Sequence, residues 1–282
     1  MKNKWLAAPY VVWMAIFVVA PLILVVVFAF TGQDGSITLD NFSNMGTYVP
    51  AFRNSFVLAF VATAICILIG YPLAYFLSRE KLMVRKVAMM LIMLPMWMNF
   101  LLRTYAWMSI LDDNGLINQF LSAIGFFDLW NAIFGTNLSY FHMINTQGAI
   151  VLGMVYNFLP FMVLPIFSVI DKIDPKVIEA AQDLGASSSM VFRKVIFPLS
   201  LPGVLSGVTM VFIPSVSTFA LSRLLGGGKT LLLGDLIEMQ FLGNAYNPHL
   251  GSAIALVMMV IVLILMAIMN RFGEGEEGVA VL

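Results

Sequence analysis

Six runs of mainly apolar residues determine what this chain can fold into. They cover residues 6–30, 54–77, 87–110, 149–170, 200–221 and 252–269. A helix of about 20 such residues crosses the hydrocarbon core of a bilayer, which is roughly 30 Å thick. The chain of 282 residues is 61% hydrophobic and 11% charged, whereas soluble domains carry about 25% charged residues. We therefore predict an all-α integral membrane protein with six transmembrane helices, in a single transmembrane domain over residues 1–282.

Several other protein classes are disfavoured by the sequence. The apolar runs lack the alternation of apolar and polar residues that is typical of outer-membrane barrel strands. No internal repeat is visible, so an inverted-repeat secondary transporter receives no direct support. Fifteen basic residues balance fifteen acidic residues, which leaves no basic excess for nucleic-acid binding. His142 and His249 belong to no metal-binding or catalytic motif, so the chain is not expected to be an enzyme.

The distribution of Lys and Arg predicts the orientation of the spans, because basic residues are retained on the cytoplasmic side. Eleven of them fall on one side of the six runs and four on the other. The larger group comprises Lys2, Lys4, Arg79, Lys81, Arg85, Lys86, Lys172, Lys176, Arg193, Lys194 and Arg271. The smaller group comprises Arg53, Arg103, Arg223 and Lys229. Both termini are therefore predicted to be cytoplasmic.

The connection over residues 111–148 is predicted to be the largest extracytoplasmic loop. It contains no Lys or Arg but carries Asp112, Asp113 and Asp128. Its stretch 126–134 is apolar but short, and glycines flank it on both sides. We expect this stretch to lie at the membrane interface, because a seventh span would invert every later charge assignment.

The loop over residues 171–198 is the most informative segment and is predicted to be cytoplasmic. Asp174 can cap a helix that starts with a proline, and Gly185 can end that helix in the left-handed conformation. A second helix is predicted for residues 187–196, stopped by Pro198. The segment is thus predicted to form two short helices joined by a glycine turn.

The first of these short helices has an apolar stripe at helical spacing, formed by Val177, Ile178, Ala181 and Leu184. Its small alanine side chains would let another protein approach the backbone closely. Two interpretations remain open from these features alone. The helix is either a docking element for another protein or a loop helix that lies on the surface of its own chain.

A known motif occurs in the same loop. The loop contains Glu179, Ala180 and Ala181, then after three residues Gly185, and after nine more Val195, followed by Phe197 and Pro198. This spacing resembles the EAA loop of binding-protein-dependent ABC importer permeases, in which Ile and Leu stand at the positions of Val195 and Phe197. The resemblance implies the type I ABC importer permease fold. It also implies that Glu179, Ala180, Ala181, Gly185 and Pro198 couple the chain to an ATPase.

The energy source implied by the resemblance lies in another polypeptide. A separate cytoplasmic ATPase would bind ATP and Mg²⁺, and no cofactor is expected to be bound by this chain. Residues 226–230 end like a phosphate-binding loop, but the first glycine of that motif would fall at Arg223. We interpret these residues as a glycine-rich turn.

A wider resemblance covers roughly residues 5–270. The segments 70–77, 102–107, 114–118, 225–227 and 234–241 are similar to those of B-type permease subunits of spermidine/putrescine ABC importers. The resemblance implies a bacterial cytoplasmic membrane protein that works with a second (C-type) permease, two copies of an ATPase and an extracytoplasmic polyamine-binding protein. Permeases for opines, thiamine or iron are related, so these solutes remain alternatives. A self-sufficient secondary transporter is a further alternative.

Polar residues inside the spans are candidates for a translocation path, because they are costly to expose to lipid. In the third span Pro95, Asn99, Arg103 and Trp107 recur every four residues. Contact of Arg103 with solute and pairing of Arg103 with Asp112 or Asp113 are both open.

Two further spans carry candidate path residues. Tyr156 and Asn157 lie in the fourth span, and Ser215 and Ser217 lie in the fifth. The fifth span also has Gly203 and Gly207 four residues apart, which favours close packing against another helix.

The segment 231–242 is too short to span the membrane and contains two carboxylates, Asp235 and Glu238. Their spacing places them on one face of a helix. We expect them to be the best-placed carboxylates for a polyamine near the outer mouth, and a solvated loop helix is the alternative. The six spans contain no carboxylate, so tight selection of the solute is expected to reside in the external binding protein.

Overall fold

The computed structural model describes residues 8–243 and 245–277, without the side chains of residues 8, 44, 270 and 272–277. Lys2 and Lys4, which contribute to the predicted orientation, lie outside the described residues. The described residues form helices, loops and an isolated β-bridge between Thr31 and Ile37. They include five helices that are long and apolar enough to cross a membrane, and a bent helix pair that brings the number to six when the pair is taken as one span. The predicted all-α architecture with six spans is thus confirmed.

Five spans lie close to the predicted runs. Span 1 comprises Ala8–Met14, a π turn Ala15–Val19 and Ala20–Ala29; span 2 is Val49–Arg79, span 4 is Gln147–Ile170, span 5 is Phe197–Ser217 and span 6 is Pro248–Glu277. The shorter helices are Asp40–Ser43, Leu116–Ala123, Phe126–Phe134, Pro175–Asp183, Ser188–Val191, Ala220–Leu225 and Leu233–Leu242. A 3₁₀ turn, Asn44–Tyr48, precedes span 2, and a π turn, Phe192–Ile196, precedes span 5.

Span 3 differs from the continuous helix predicted over residues 87–110. It consists of Leu82–Met93, a 3₁₀ turn Leu94–Trp97 and Phe100–Leu111, and the chain bends by 96° at the break. Pro95 cannot donate a helical hydrogen bond. Asn99 starts the second helix as its N-cap, accepting a hydrogen bond from Leu101 N at 2.8 Å. The predicted stripe at residues 95, 99, 103 and 107 on one continuous helix is therefore wrong.

Pro198 does not stop a helix, contrary to the prediction. The π turn Phe192–Ile196 leads directly into span 5, and Phe197 N donates to Phe192 O across that turn. Pro198 lies in the first turn of the span, where a residue without an N–H group is tolerated.

Spans 2, 4 and 5 pack together as the centre of the bundle. A Cβ atom placed on Gly203 would lie 2.9 Å from Pro165 O, and one on Gly207 would lie 2.7 Å from Met162 Sδ. Gly70 of span 2 approaches the same methionine, since a Cβ atom placed on it would lie 3.0 Å from Met162 Cγ. The close helix packing predicted for the two glycines of span 5 is confirmed.

The connection 111–148 folds as a compact unit at one end of span 4. Phe127 is buried there, and its ring lies 5.3 Å from the ring of Phe141. The helix Phe126–Phe134 has 9 residues, or about 13 Å of length, which is too short for a span. The absence of a seventh span at this stretch agrees with the sequence-based expectation. The loop 171–198 follows the opposite end of span 4.

Candidate functional site

The short helix Pro175–Asp183, called the loop helix below, is fixed at both ends by its own sequence. The Asp174 carboxylate accepts a hydrogen bond from Lys176 N at 2.9 Å. At the other end Gly185 has a φ of +83°, a conformation that costs little only for glycine. Ala186 N then donates to Ala181 O at 3.0 Å. Both predicted caps are confirmed.

The apolar stripe of the loop helix is divided between two environments. Ile178 and Ala181 pack against the core of the bundle. Val177 is 45% exposed and Leu184 is 90% exposed. Glu179 and Ala180, the first residues of the EAA motif, are also exposed. One face of the helix therefore anchors it to the spans, while the other presents apolar and acidic side chains to the surroundings.

Aromatic residues connect the loop 171–198 to span 2. The hydroxyl groups of Tyr71 and Ser200 lie 2.8 Å apart in a buried hydrogen bond. The Tyr71 ring is 5.9 Å from the Phe192 ring and 5.7 Å from the Phe197 ring. Tyr75 also contacts Phe192, at a ring distance of 5.0 Å. A displacement of the loop would therefore be transmitted directly to spans 2 and 5.

This aromatic contact was not found from the sequence. Tyr71 occurs in the segment 70–77, which was recognised only as part of the wider resemblance. The proline and the glycine beside it gave a weak signal of a specialised position, but no periodicity places it opposite Ser200, 129 residues away in the chain.

We expect Tyr71→Phe to lower the stability of the folded permease by about 1 kcal/mol, the usual net value of one hydrogen bond. Tyr71→Ala is expected to cost about 3 to 5 kcal/mol, because it also removes the buried ring. Thermal unfolding in detergent, followed by loss of the monodisperse peak, measures both. Equal losses for the two variants would contradict the packing role of the ring.

The predicted path residues of spans 3 and 4 are brought together in part. Arg103 lies over the Tyr156 ring, with its guanidinium carbon 5.9 Å from the ring centroid. Trp107 contacts the same ring at 5.3 Å. Asn157 is buried next to Tyr156 and donates to Gly153 O at 2.7 Å. Asn99 is exposed at the break of span 3, where its side chain caps the following helix.

Of the interpretations left open for Arg103, the pairing with Asp112 or Asp113 is wrong. Asp113 pairs with His142 at 2.8 Å, and Asp112 accepts from Asn114 N at 3.0 Å. Within residues 8–243 and 245–277, Arg103 Nε and Nη1 are buried without a hydrogen-bond partner. Buried donors of this kind are costly unless another molecule satisfies them.

The two predicted path serines of span 5 differ in exposure. Ser215 is fully buried and donates to Val211 O at 2.7 Å. Ser217 is exposed at the end of the span and donates to Ile213 O at 3.3 Å. Both hydroxyl groups thus bond within their own helix.

Asp235 and Glu238 do not share an exposed face, contrary to the expectation. Asp235 is 5% exposed and accepts hydrogen bonds from the Ser222 hydroxyl group and from Leu232 N. Burial raises the pKa of the Asp235 carboxyl group, against the lowering effect of its hydrogen bond to Ser222. Glu238 forms an ion pair with Arg223. The hydrogen bonds of the Asp235 carboxylate stabilise the connection between spans 5 and 6. The negative charge of Glu238 is partly neutralised by Arg223.

Known proteins match this chain over nearly its full length. Residues 2–274 match the family described as binding-protein-dependent transport system inner membrane component. The chain is 35% identical over 267 residues to the spermidine/putrescine transport system permease protein PotB of Haemophilus influenzae, covering 92% of this chain and 90% of the relative. It is 34% identical over 257 residues to PotB of Escherichia coli, covering 88% of this chain and 90% of the relative.

A solved structure has the same fold. In a bacterial ABC transporter involved in the import of the acidic polysaccharide alginate, one chain superposes with a TM-score of 0.80 at 17% sequence identity. The superposition covers 98% of this chain and 97% of the other. Together, the six spans, the exposed loop helix and these matches show that the chain belongs to the binding-protein-dependent transport system inner membrane component family and is the non-catalytic, multi-pass inner membrane permease subunit of an ABC importer.

Proposed function

We propose that this permease subunit imports polyamines of the spermidine/putrescine class. The observation that carries the proposal is the identity of 34% and 35% to two PotB proteins over about nine-tenths of their length. At this level of identity the fold and the general transport role are shared.

The loop helix supplies the proposed site for the ATPase. Its capped ends hold it in one conformation, and Ile178 anchors it to the bundle. Its exposed Val177 and Leu184 offer an apolar surface, beside the carboxylate of Glu179. An ATPase cleft that closes around this surface would pull on Phe192 and Phe197, and through them on Tyr71. The docking interpretation is thereby favoured over a helix that merely lies on its own chain.

The proposed importer contains a second, C-type permease, two copies of the ATPase and an extracytoplasmic polyamine-binding protein. The loop 171–198 would face the cytoplasm and the loop 111–148 the opposite side, as the basic residues predict. ATP and Mg²⁺ would be bound by the ATPase. The binding protein would supply tight selection, and this chain would contribute a weakly attractive path.

The proposed path runs beside the group formed by Arg103, Tyr156 and Asn157, where the broken span 3 meets span 4. Irregular backbone at membrane depth is tolerated where it lines a cavity or is covered by protein, so the exposed break at residues 94–99 would have to face the path or another subunit of the importer. Asn157 Oδ1, like two Arg103 nitrogen atoms, lacks a hydrogen-bond partner within the described residues. The roles of Asn99, Ser215, Ser217, Asp235 and Glu238 along this path stay predictions.

The test of the solute uses the complete importer in proteoliposomes. The binding protein is loaded in separate samples with spermidine, putrescine, thiamine, ferric iron or an opine, and ATP hydrolysis and uptake are measured together. We expect polyamines alone to stimulate both activities. Stimulation by thiamine, iron or an opine without stimulation by polyamines would refute the proposed solute but leave the permease assignment intact.

A further inference from the structure

We propose that a cleft in the loop 111–148 is a binding site for the ammonium groups of a polycationic solute on the extracytoplasmic surface. The inference rests on the proposed function, because it names a surface site that the polyamine would visit outside the spans. The cleft is separate from Asp235 and Glu238, the carboxylates that the sequence suggested for this task. Neither of those two is freely available.

The cleft has a volume of about 550 Å³. It lies between the helix Leu116–Ala123 and the segment 139–140, and its lining includes Asp113, Asn114, Gln119, Ser122, Ser139 and Tyr140. These side chains offer a carboxylate, amide and hydroxyl oxygen atoms, and one aromatic ring. Ammonium groups carry only donors, so they require such acceptors. The ring of Tyr140, which is 45% exposed, can add a cation–π contact.

The walls of the cleft are held in place before any ligand arrives. Asn118 is buried and joins the two sides of the loop: its Nδ2 donates to Asp112 O at 3.1 Å and to Phe141 O at 3.0 Å. Its Oδ1 accepts from Phe141 N at 2.9 Å. Gln119 Nε2 donates to Asn114 O at 2.8 Å. The amide groups of Asn118 and Gln119 therefore donate within the loop and do not compete with an ammonium group for the acceptors of the cleft.

The charge of the loop favours a cation. No Lys or Arg occurs between Arg103 and Lys172 in the sequence. Asp113 is half-buried at the cleft, and the group that it contacts is His142, at 2.8 Å. A bound ammonium group would compete with this imidazole for the same carboxylate. Removal of Asp113 and removal of His142 should therefore have opposite effects on cation binding.

The experiment uses the assembled importer in nanodiscs, without the binding protein, and a photoreactive spermidine derivative as the probe. Cross-linked peptides from residues 111–148 are quantified by mass spectrometry, with excess putrescine as competitor. We expect Asp113→Asn to lower specific labelling by about five-fold, the loss that corresponds to one solvent-screened charge contact. We expect His142→Ala to raise it, because the carboxylate loses its internal partner.

The matched control is Asp128→Asn, which removes the same charge from the same loop outside the cleft lining. It should leave labelling within error of the wild type. An equal decrease for Asp113→Asn and Asp128→Asn would overturn the site in favour of a diffuse loop charge. A decrease for both Asp113→Asn and His142→Ala would overturn it in favour of a structural role for the pair.

Stimulation of ATP hydrolysis by the loaded binding protein is measured for the same variants. If Asp113→Asn weakens this stimulation but leaves labelling unchanged, the cleft is a contact surface for the binding protein and the inference is wrong. If polyamines fail to drive transport in the wild-type importer, the proposed function is wrong. That result differs from a failure of the cleft site alone, because it appears without any substitution in the cleft.

Discussion

Gly185→Val is expected to abolish most solute uptake while leaving the permease inserted in the membrane. The native φ of +83° at this position costs an L-residue about 1 to 2 kcal/mol, and more for a β-branched side chain. The chain would relieve this strain by changing the turn that joins the loop helix to Ser187. The exposed EAA surface would then be displaced from the position that an ATPase cleft could engage.

A matched control exists in the same chain. Gly135 has a φ of +64°, and like Gly185 it has open space where a side chain would begin. Gly135→Val thus imposes a similar backbone strain in the connection 111–148, away from the loop helix. ATPase co-purification and the ratio of ATP hydrolysed to solute transported are measured for both variants. Equal losses of transport would contradict the coupling role and indicate a general effect of backbone strain.

Glu179→Ala addresses the side chain without altering the turn. Glu179 is exposed on the loop helix, so its removal should leave the bundle intact. We expect weaker ATPase association or hydrolysis without transport. Lys176→Ala is the control, because Lys176 is also an exposed charged residue of this helix but lies outside the EAA motif. Wild-type complex formation and transport in both Glu179→Ala and Gly185→Val would refute the proposed coupling site.

Gly207→Leu is expected to reduce the yield of folded permease strongly. A Cβ atom there would lie 2.7 Å from Met162 Sδ and 3.2 Å from Met162 O. The backbone oxygen cannot move aside as a flexible side chain could, so spans 4 and 5 must separate. Overpacking of this kind costs about 1 to 3 kcal/mol or more.

The control for this substitution is Ser206→Leu, at the neighbouring position on the exposed side of span 5. Leucine is compatible with lipid, so we expect nearly wild-type yield. Fluorescence-detected size-exclusion chromatography of detergent extracts after a temperature series compares the two. A thermal midpoint for Gly207→Leu equal to that of Ser206→Leu would show that the two spans are not in close contact.

The spans were predictable because each one needs only a long apolar run. The break in span 3 was missed, although its signals are local. Pro95 ends one helix and Asn99 caps the next, but both lie inside a run of Leu, Met and Phe that satisfies the length criterion without them. Hydropathy measures the total apolar length of a segment and is insensitive to a change in helix direction.

The loop 171–198 was predicted in more detail than the rest of the candidate site. Its caps depend on Asp174 and Gly185, whose preferences are local and strong. The partners of Arg103 and Asp235 depend on tertiary contacts instead. Ser222 reaches Asp235 from a neighbouring short helix, and Tyr156 reaches Arg103 from another span. A single sequence contains no periodicity that would specify such pairs.

We infer that an external ATPase moves a bundle that has no energy source of its own. This is tested by measuring how much radiolabelled spermidine accumulates in sealed vesicles. One sample contains this polypeptide alone, and the other contains the complete importer with ATP and the loaded binding protein. We expect accumulation above the external concentration only for the complete importer supplied with ATP. Concentrative uptake by the isolated polypeptide, driven by an ion gradient without an ATPase, would contradict it.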